Sequence, residues 1–203
     1  AGLILPALVT NGMQALRQGG GAAWTSVKQF RRFLLIGLVM LLLSAQLVAV
    51  LRTEYLLLAI GGPVVLFACA QLAGWQLHIP ERKRPAAELG IGAFAGFIGG
   101  MSGVWGPPTV AYLTALGTEK REQMRIQGVI YGLGALALTL AHIGSGVLNA
   151  QTVWFSLVLL PPGVLGMMIG TRIQDKIDQN AFRRATLFVL LLAGLNLLRR
   201  AVL

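Results

Sequence analysis

Residues Ile98 to Tyr112 read I-G-G-M-S-G-V-W-G-P-P-T-V-A-Y, an apolar stretch that cannot run as one helix. Pro107 and Pro108 have no backbone N–H, and each restricts the residue before it, so a helix arriving through the glycines has to stop near Gly106. Both flanks are apolar enough to lie in lipid. At that depth a broken helix is tolerated only where protein or a water-filled cavity surrounds the freed backbone groups. The stretch is therefore both the tightest constraint on the fold and the first candidate for a functional site.

The rest of the chain agrees with a lipid setting. Of its 203 residues 56% are hydrophobic and 12% charged, and several uninterrupted apolar runs are long enough to cross a bilayer. An all-α polytopic membrane protein is expected. The net charge of +10 would suggest nucleic acid in a soluble protein, but here the basic residues fall in short loops between apolar runs, where they report topology. Cys69 is the single cysteine, so neither a disulfide framework nor a thiolate metal site is expected. The chain starts at Ala1 inside an apolar segment and has no signal-peptide pattern, from which an N-terminal part lost by processing or truncation is expected.

In order, Ala1 to Leu16, holding Pro6, reads as a half-helix or the tail of one, and Gln18 to Ser26 as a Gly-rich connection. Spans are expected at Phe33 to Leu51, Tyr55 to Trp75, Ile126 to His142 and Thr152 to Gly170, with a last apolar helix from Ala185 to Leu198. Kinks are expected at Gly61-Gly62-Pro63 and Pro161-Pro162-Gly163, making Pro63, Pro161 and Pro162 candidate hinges. If the basic loops at Arg17 to Arg32, His78 to Glu88, Glu119 to Arg125 and Arg172 to Arg184 lie inside, the charge-poor turns near Thr53 and Ser145 lie outside. Leu89 to Leu116 must then start and end on one side, as a hairpin with Trp105-Gly106-Pro107 near its tip.

The proline sites recur about one hundred residues apart, Pro6 with Pro107 and Pro63 with Pro162. Two related halves are expected: a first membrane repeat over 1–88, incomplete at its N-terminus, and a second over 89–203 with the last helix. Each half would hold a broken-helix hairpin and full transmembrane helices within one membrane domain. Interrupted segments at matching places in two halves point to a transporter site.

Candidate residues follow from that frame. A proline in the first turn loses no needed donor, so Pro107 or Pro108 can begin a half-helix whose positive N-terminal end attracts an anion. Gly103, Trp105, Gly106 and Thr109 complete this end. Thr10, Asn11 and Gln14 lie within one turn, and their polar groups either bind a solute or hold helices together. Gln46, Gln127 and Tyr131 are weaker candidates of the same kind, and His142 reads as an interfacial histidine. Gly92, Gly96 and Gly100 form a close-packing row, whereas Gly99, Gly100, Ser102 and Gly103 beside the break suit either packing or backbone exposure.

All seven acidic residues, Glu54, Glu81, Glu88, Glu119, Glu122, Asp175 and Asp178, fall in the expected loops. A carboxylate-based proton or cation relay then lacks a carrier. Two scattered histidines without a buried acid support neither a hydrolase nor a metal site, and no cofactor is expected.

Gly96 to Pro108, G-F-I-G-G-M-S-G-V-W-G-P-P, with the T-E-K-R-E-Q-M-R loop that follows, resembles the TauE/SafE sulfite exporter family, also called the toluene sulfonate uptake permease family. Gly103, Gly106 and Pro107 match its G-x-G-G-P motif, with Trp105 where the family commonly has glycine. Leu5 to Arg17, L-P-A-L-V-T-N-G-M-Q-A-L-R, looks like the stretch after the first-half motif. The resemblance implies a secondary transporter in the bacterial inner membrane moving sulfite, sulfonates or related sulfur-containing anions, often outward. The expected partners are that anion and the lipid bilayer, not nucleic acid, with homo-oligomerisation left open. An anion channel and a non-transporting helical scaffold are the alternatives.

Overall fold

The proline break divides one apolar hairpin into a long arm and a short one. The computed structural model describes residues 3–45, 52–75, 78–102, 105–144 and 150–202. Among them lie α1 (Ile4–Leu16), α2 (Gly20–Gln29), α3 (Arg31–Ala45), α4 (Thr53–Leu72), a 3-10 turn (Glu81–Lys83), α5 (Arg84–Ser102), α6 (Gly106–Ala115), α7 (Lys120–Gly144), α8 (Ala150–Lys176) and α9 (Gln179–Val202), with no strand. At 1.5 Å per residue the 19 residues of α5 reach about 28 Å and the 10 of α6 about 15 Å. One is close to the thickness of a hydrocarbon core and the other is half of it. The all-helical expectation holds. Two helical stretches, Val153–Lys176 and Gln179–Val202, are long and apolar enough to cross a membrane.

Several expected loops are helical instead. Gln18 to Ser26 becomes mostly α2, because Ala23 and Ser26 are buried there and tertiary contact outweighs the low helix preference of Gly20 and Gly21. Glu119 to Arg125 is largely the first turns of α7, and Arg172 to Arg184 is divided between α8 and α9. Charged residues are good helix formers, so hydropathy marks where an apolar run ends and not where a helix ends. Both α4 and α8 run without interruption through Pro63, Pro161 and Pro162. Gln46, Gly103 and Ser145 lie outside the described residues.

Contacts divide the chain into two units, Ala1–Gln29 with Arg121–Asp178, and Phe30–Lys120 with Gln179–Leu203. Each of the stretches 1–88 and 89–203 contributes to both. In the first unit α1 packs on α8, where a Cβ added at Gly163 would lie 3.6 Å from the Pro6 Cβ. It also meets α7, where a Cβ at Gly128 would stand 2.5 Å from the Ala15 backbone nitrogen. Polar bonds close one end: Arg17 pairs with Asp175, Gln18 Nε2 donates to the Arg121 carbonyl (2.8 Å), and Arg125 Nε donates to the Ser26 hydroxyl (2.8 Å).

The second unit is built on two glycine-mediated helix pairs. Gly92, Gly96 and Gly100 of α5 face Phe33, Gly37 and Leu41 of α3 so closely that a Cβ at Gly96 would stand 2.7 Å from the Gly37 Cα. That row is the expected packing row, with small residues bringing two backbones together. In the other pair, α4 lies on α9, where a Cβ at Gly61 would be 3.0 Å from the Gly194 carbonyl oxygen. Leu57, Ile60, Val64 and Ala68 form one stripe of α4 and bury it against Leu190, Leu197 and Ile98, with Val110 and Ala111 of α6 packed on the same cluster.

Candidate functional site

Trp105 caps α6 without a side-chain bond, and Pro107 and Pro108 occupy its first turn as the sequence suggests. Two of that turn's residues therefore have no N–H. Thr109 turns both of its donors back to the Trp105 carbonyl, its hydroxyl at 3.0 Å and its N–H at 3.4 Å, and is fully buried. Gly106 supplies the other N–H of the turn. The N-terminal end of α6 keeps its positive dipole but has few backbone donors to offer.

Trp105 folds back onto α5. A Cβ at Gly99 would meet the Trp105 ring at 2.6 Å, so Gly99 is the seat of the indole. Gly100 faces the Leu41 carbonyl and the Ser44 hydroxyl. At the far end of α6, Gly117 takes a left-handed conformation (φ 68°), and the Thr118 N–H reaches back to the Leu113 carbonyl (3.2 Å). Ile79, just before α5, donates to the Ala115 carbonyl at the end of α6 (3.1 Å). The hairpin returns to the end from which it started, as charge alternation required.

In the other unit the polar residues of α1 have distinct positions. Thr10 is spent on its own helix, donating to the Pro6 carbonyl (2.7 Å). Gln14 Nε2 donates to the Met124 carbonyl (2.7 Å), so it ties α1 to α7. Half-buried Asn11 lies beside Gly132, where an added Cβ would be 3.7 Å from its own, and no hydrogen bond among the described residues engages its amide. Gln127, buried, and Tyr131, half-buried, lie on α7 next to Gly128 and Gly132, so α1 and α7 bring these four polar side chains onto two packed helices. His142 falls in the last turn of α7.

Glu54, Glu122 and Asp175 are helical rather than in loops, and among the described residues one acid, Glu88, is buried. Glu88 lies on α5 with only 5% of its side chain exposed, paired at 3.1 Å with Arg84, 20% exposed and one turn earlier. The Arg84 guanidinium stacks over Phe30 (5.1 Å), while Phe30 and Phe33 enclose the Tyr112 ring. Burial by itself would lower the Arg84 pKa, but the bond to Glu88 and the nearby carboxylate charges outweigh it and raise it. The Tyr112 hydroxyl, buried beside this pair, has no hydrogen bond of good geometry. The i, i+4 spacing of Arg84 and Glu88 was the signal that this carboxylate could be buried already neutralised. It adds no net charge that would repel an anion.

Neither curated proteins nor solved structures match the chain. The family model described as Sulfite exporter TauE/SafE matches residues 1–197, a span that takes in α1, α6 with its proline pair and every long helix to near the end of α9. The chain belongs to the TauE/SafE sulfite exporter family.

Proposed function

We propose that this protein is a multi-pass secondary transporter that exports sulfite, or a related small sulfur-containing anion such as a sulfonate or thiosulfate, across the bacterial inner membrane. The observation that carries the reading is the start of α6 at Pro107-Pro108 after a break in an apolar hairpin. A half-helix ending there offers positive potential without a fixed cation. Such an end suits an anion that must be released as readily as it is bound. Because the prolines leave few N–H groups, that end attracts an anion by its potential more than by hydrogen bonds. In the unit that contains α1, half-buried Asn11 is an amide with no described hydrogen-bond partner and a candidate for such bonds, while the Gln123 Nε2 of the same unit is also unpartnered but fully buried. Gln14, Gln127 and Tyr131 stand on the same pair of helices as secondary contacts, with Thr10 behind them.

The arrangement of prolines supports motion within the same reading. Pro108 lines an apolar cavity of about 310 Å³ together with Pro63, and Pro6 lies against Gly163, next to Pro161-Pro162. Each half-helix is thus set against the proline site of a long helix from the other half of the sequence. On the repeat reading this is one relation made twice, and Pro63, Pro161 and Pro162 are the hinges about which long helices move past short ones.

Saturable uptake or counterflow of labelled sulfite in proteoliposomes is the expected result. If Asn11→Ala, Gln14→Ala and Trp105→Ala all transport at the parental rate, the assigned site is wrong. Unsaturating single-channel current would make the protein a channel, and a folded protein with no thermal shift across sulfur oxyanions would make it a scaffold.

A further inference from the structure

A polar-lined cleft lies wholly within the unit built on α4 and α9. It has a volume of about 750 Å³ and is formed where α4 ends and α9 begins, with Gln71, Leu72, Asn180, Arg183, Arg184 and Phe188 among its lining residues. Two guanidiniums and two amides contribute to it, and no carboxylate lines it. Arg183 is held in place by Gln71, 6% exposed, whose side-chain oxygen accepts its Nη2–H at 2.6 Å. That fixed guanidinium and its exposed neighbour Arg184 form a recognition pair for an oxyanion.

Size and surroundings decide which oxyanion. A three- or four-oxygen inorganic ion fills a small fraction of such a cleft, whose volume is that of a site for a larger molecule. The cleft is amphipathic, since Leu72, Leu187 and Phe188 form its apolar side and Phe188 is 56% exposed. The apolar side continues along α9 through exposed Leu192 and Leu195, at helical spacing from Phe188. Exposed Trp75, just beyond α4, is of the residue type that favours a headgroup layer, and Arg183 and Arg184 belong to a basic cluster that charge alternation assigns to the cytoplasmic face. We infer that this cleft binds the phosphodiester headgroup of an anionic phospholipid, with Arg183 and Arg184 on the phosphate and an acyl chain along Phe188, Leu192 and Leu195. The cleft is distinct from the α1 and α6 elements assigned to transport.

The test uses the purified full chain, titrated with phosphatidylglycerol or phosphatidylcholine and read by native mass spectrometry and thermal unfolding. Phosphatidylglycerol is expected to bind saturably and raise the melting temperature, and phosphatidylcholine to do neither. Each basic residue near an anionic headgroup contributes roughly a fivefold factor, so Arg183→Gln with Arg184→Gln should weaken binding about 30-fold. Arg184→Gln alone, which preserves the Arg183–Gln71 bond, should weaken it about fivefold and serves if the double variant does not fold. Equal affinity for the two lipids, or an unchanged Arg184→Gln variant, overturns the proposal. Inorganic phosphate or sulfite binding as tightly as the lipid also overturns it, in favour of a free-anion site.

Discussion

Both α1 and α6 carry proline in the first turn, yet their polar groups are placed differently. Around α6 the protein is closed: Thr109 and Leu113 are fully buried, Tyr112 is 1% exposed, and apart from the Gly106 N–H the donors of its first turn are absent or bonded to the Trp105 carbonyl. Around α1 it is open: Asn11 and Gln14 are half-buried amides, and one of them has no described partner. On the proposed function, the comparison separates two contributions to anion binding. A well-seated helix end supplies a fixed positive potential, while amide side chains on a less buried segment supply the hydrogen bonds.

The most forceful way to break this contrast is through packing. Gly96→Ala would push a methyl group into the Gly37 backbone and loosen the α5 arm that carries α6; a loss of about 3 kcal/mol in unfolding free energy is expected. Gly132→Ala beneath α1 meets nothing nearer than 3.7 Å and should change stability by less than about 1 kcal/mol, in the stabilising direction. Equal losses in denaturant unfolding would show that α6 is no more tightly seated than α1.

Next in size is the ion pair behind α6. Glu88→Gln leaves Arg84 partly buried without its carboxylate and should cost about 2 kcal/mol, less than for a fully buried pair because 20% of the Arg84 side chain remains exposed. A melting temperature unchanged by this substitution would remove the pair from the account of how Tyr112 is held.

Two transport measurements address the division of labour. Loss of one hydrogen bond to a charged ligand predicts that Asn11→Ala lowers kcat/KM for sulfite about tenfold, roughly 1.4 kcal/mol, with little change in stability. A parental value would transfer the hydrogen-bonding role away from α1. The smallest effect is a gain. Pro107→Ala restores an N–H to the first turn of α6, and if the anion lies at that end its KM should fall about threefold. A raised KM would show that the rigidity of the proline pair matters more than the missing donor.

Much of this was legible in the residues. Pro107 and Pro108 announced where α6 starts, the glycines at spacing four announced a close helix contact that α3 turns out to make, and charge alternation announced a hairpin returning to its own end. Other features were hidden. Hydropathy read the charged ends of α7, α8 and α9 as loops, since it senses solvent preference and not backbone geometry. It also left Glu88 in a loop, because burial of an acid depends on a partner that only a folded turn presents.

By itself, then, the amino-acid order determined the helical class, the position of the break and the family, because these follow from missing donors, apolar length and a motif, all local properties of the chain. Only the tertiary structure decided what the polar side chains are for. Thr10, Asn11 and Gln14 share one turn of one helix, yet the first bonds its own backbone, the second keeps its amide available and the third ties α1 to α7. The difference lies in what stands opposite each side chain, a helix wall, a glycine or a carbonyl oxygen, and those neighbours come from more than one hundred residues away in the sequence.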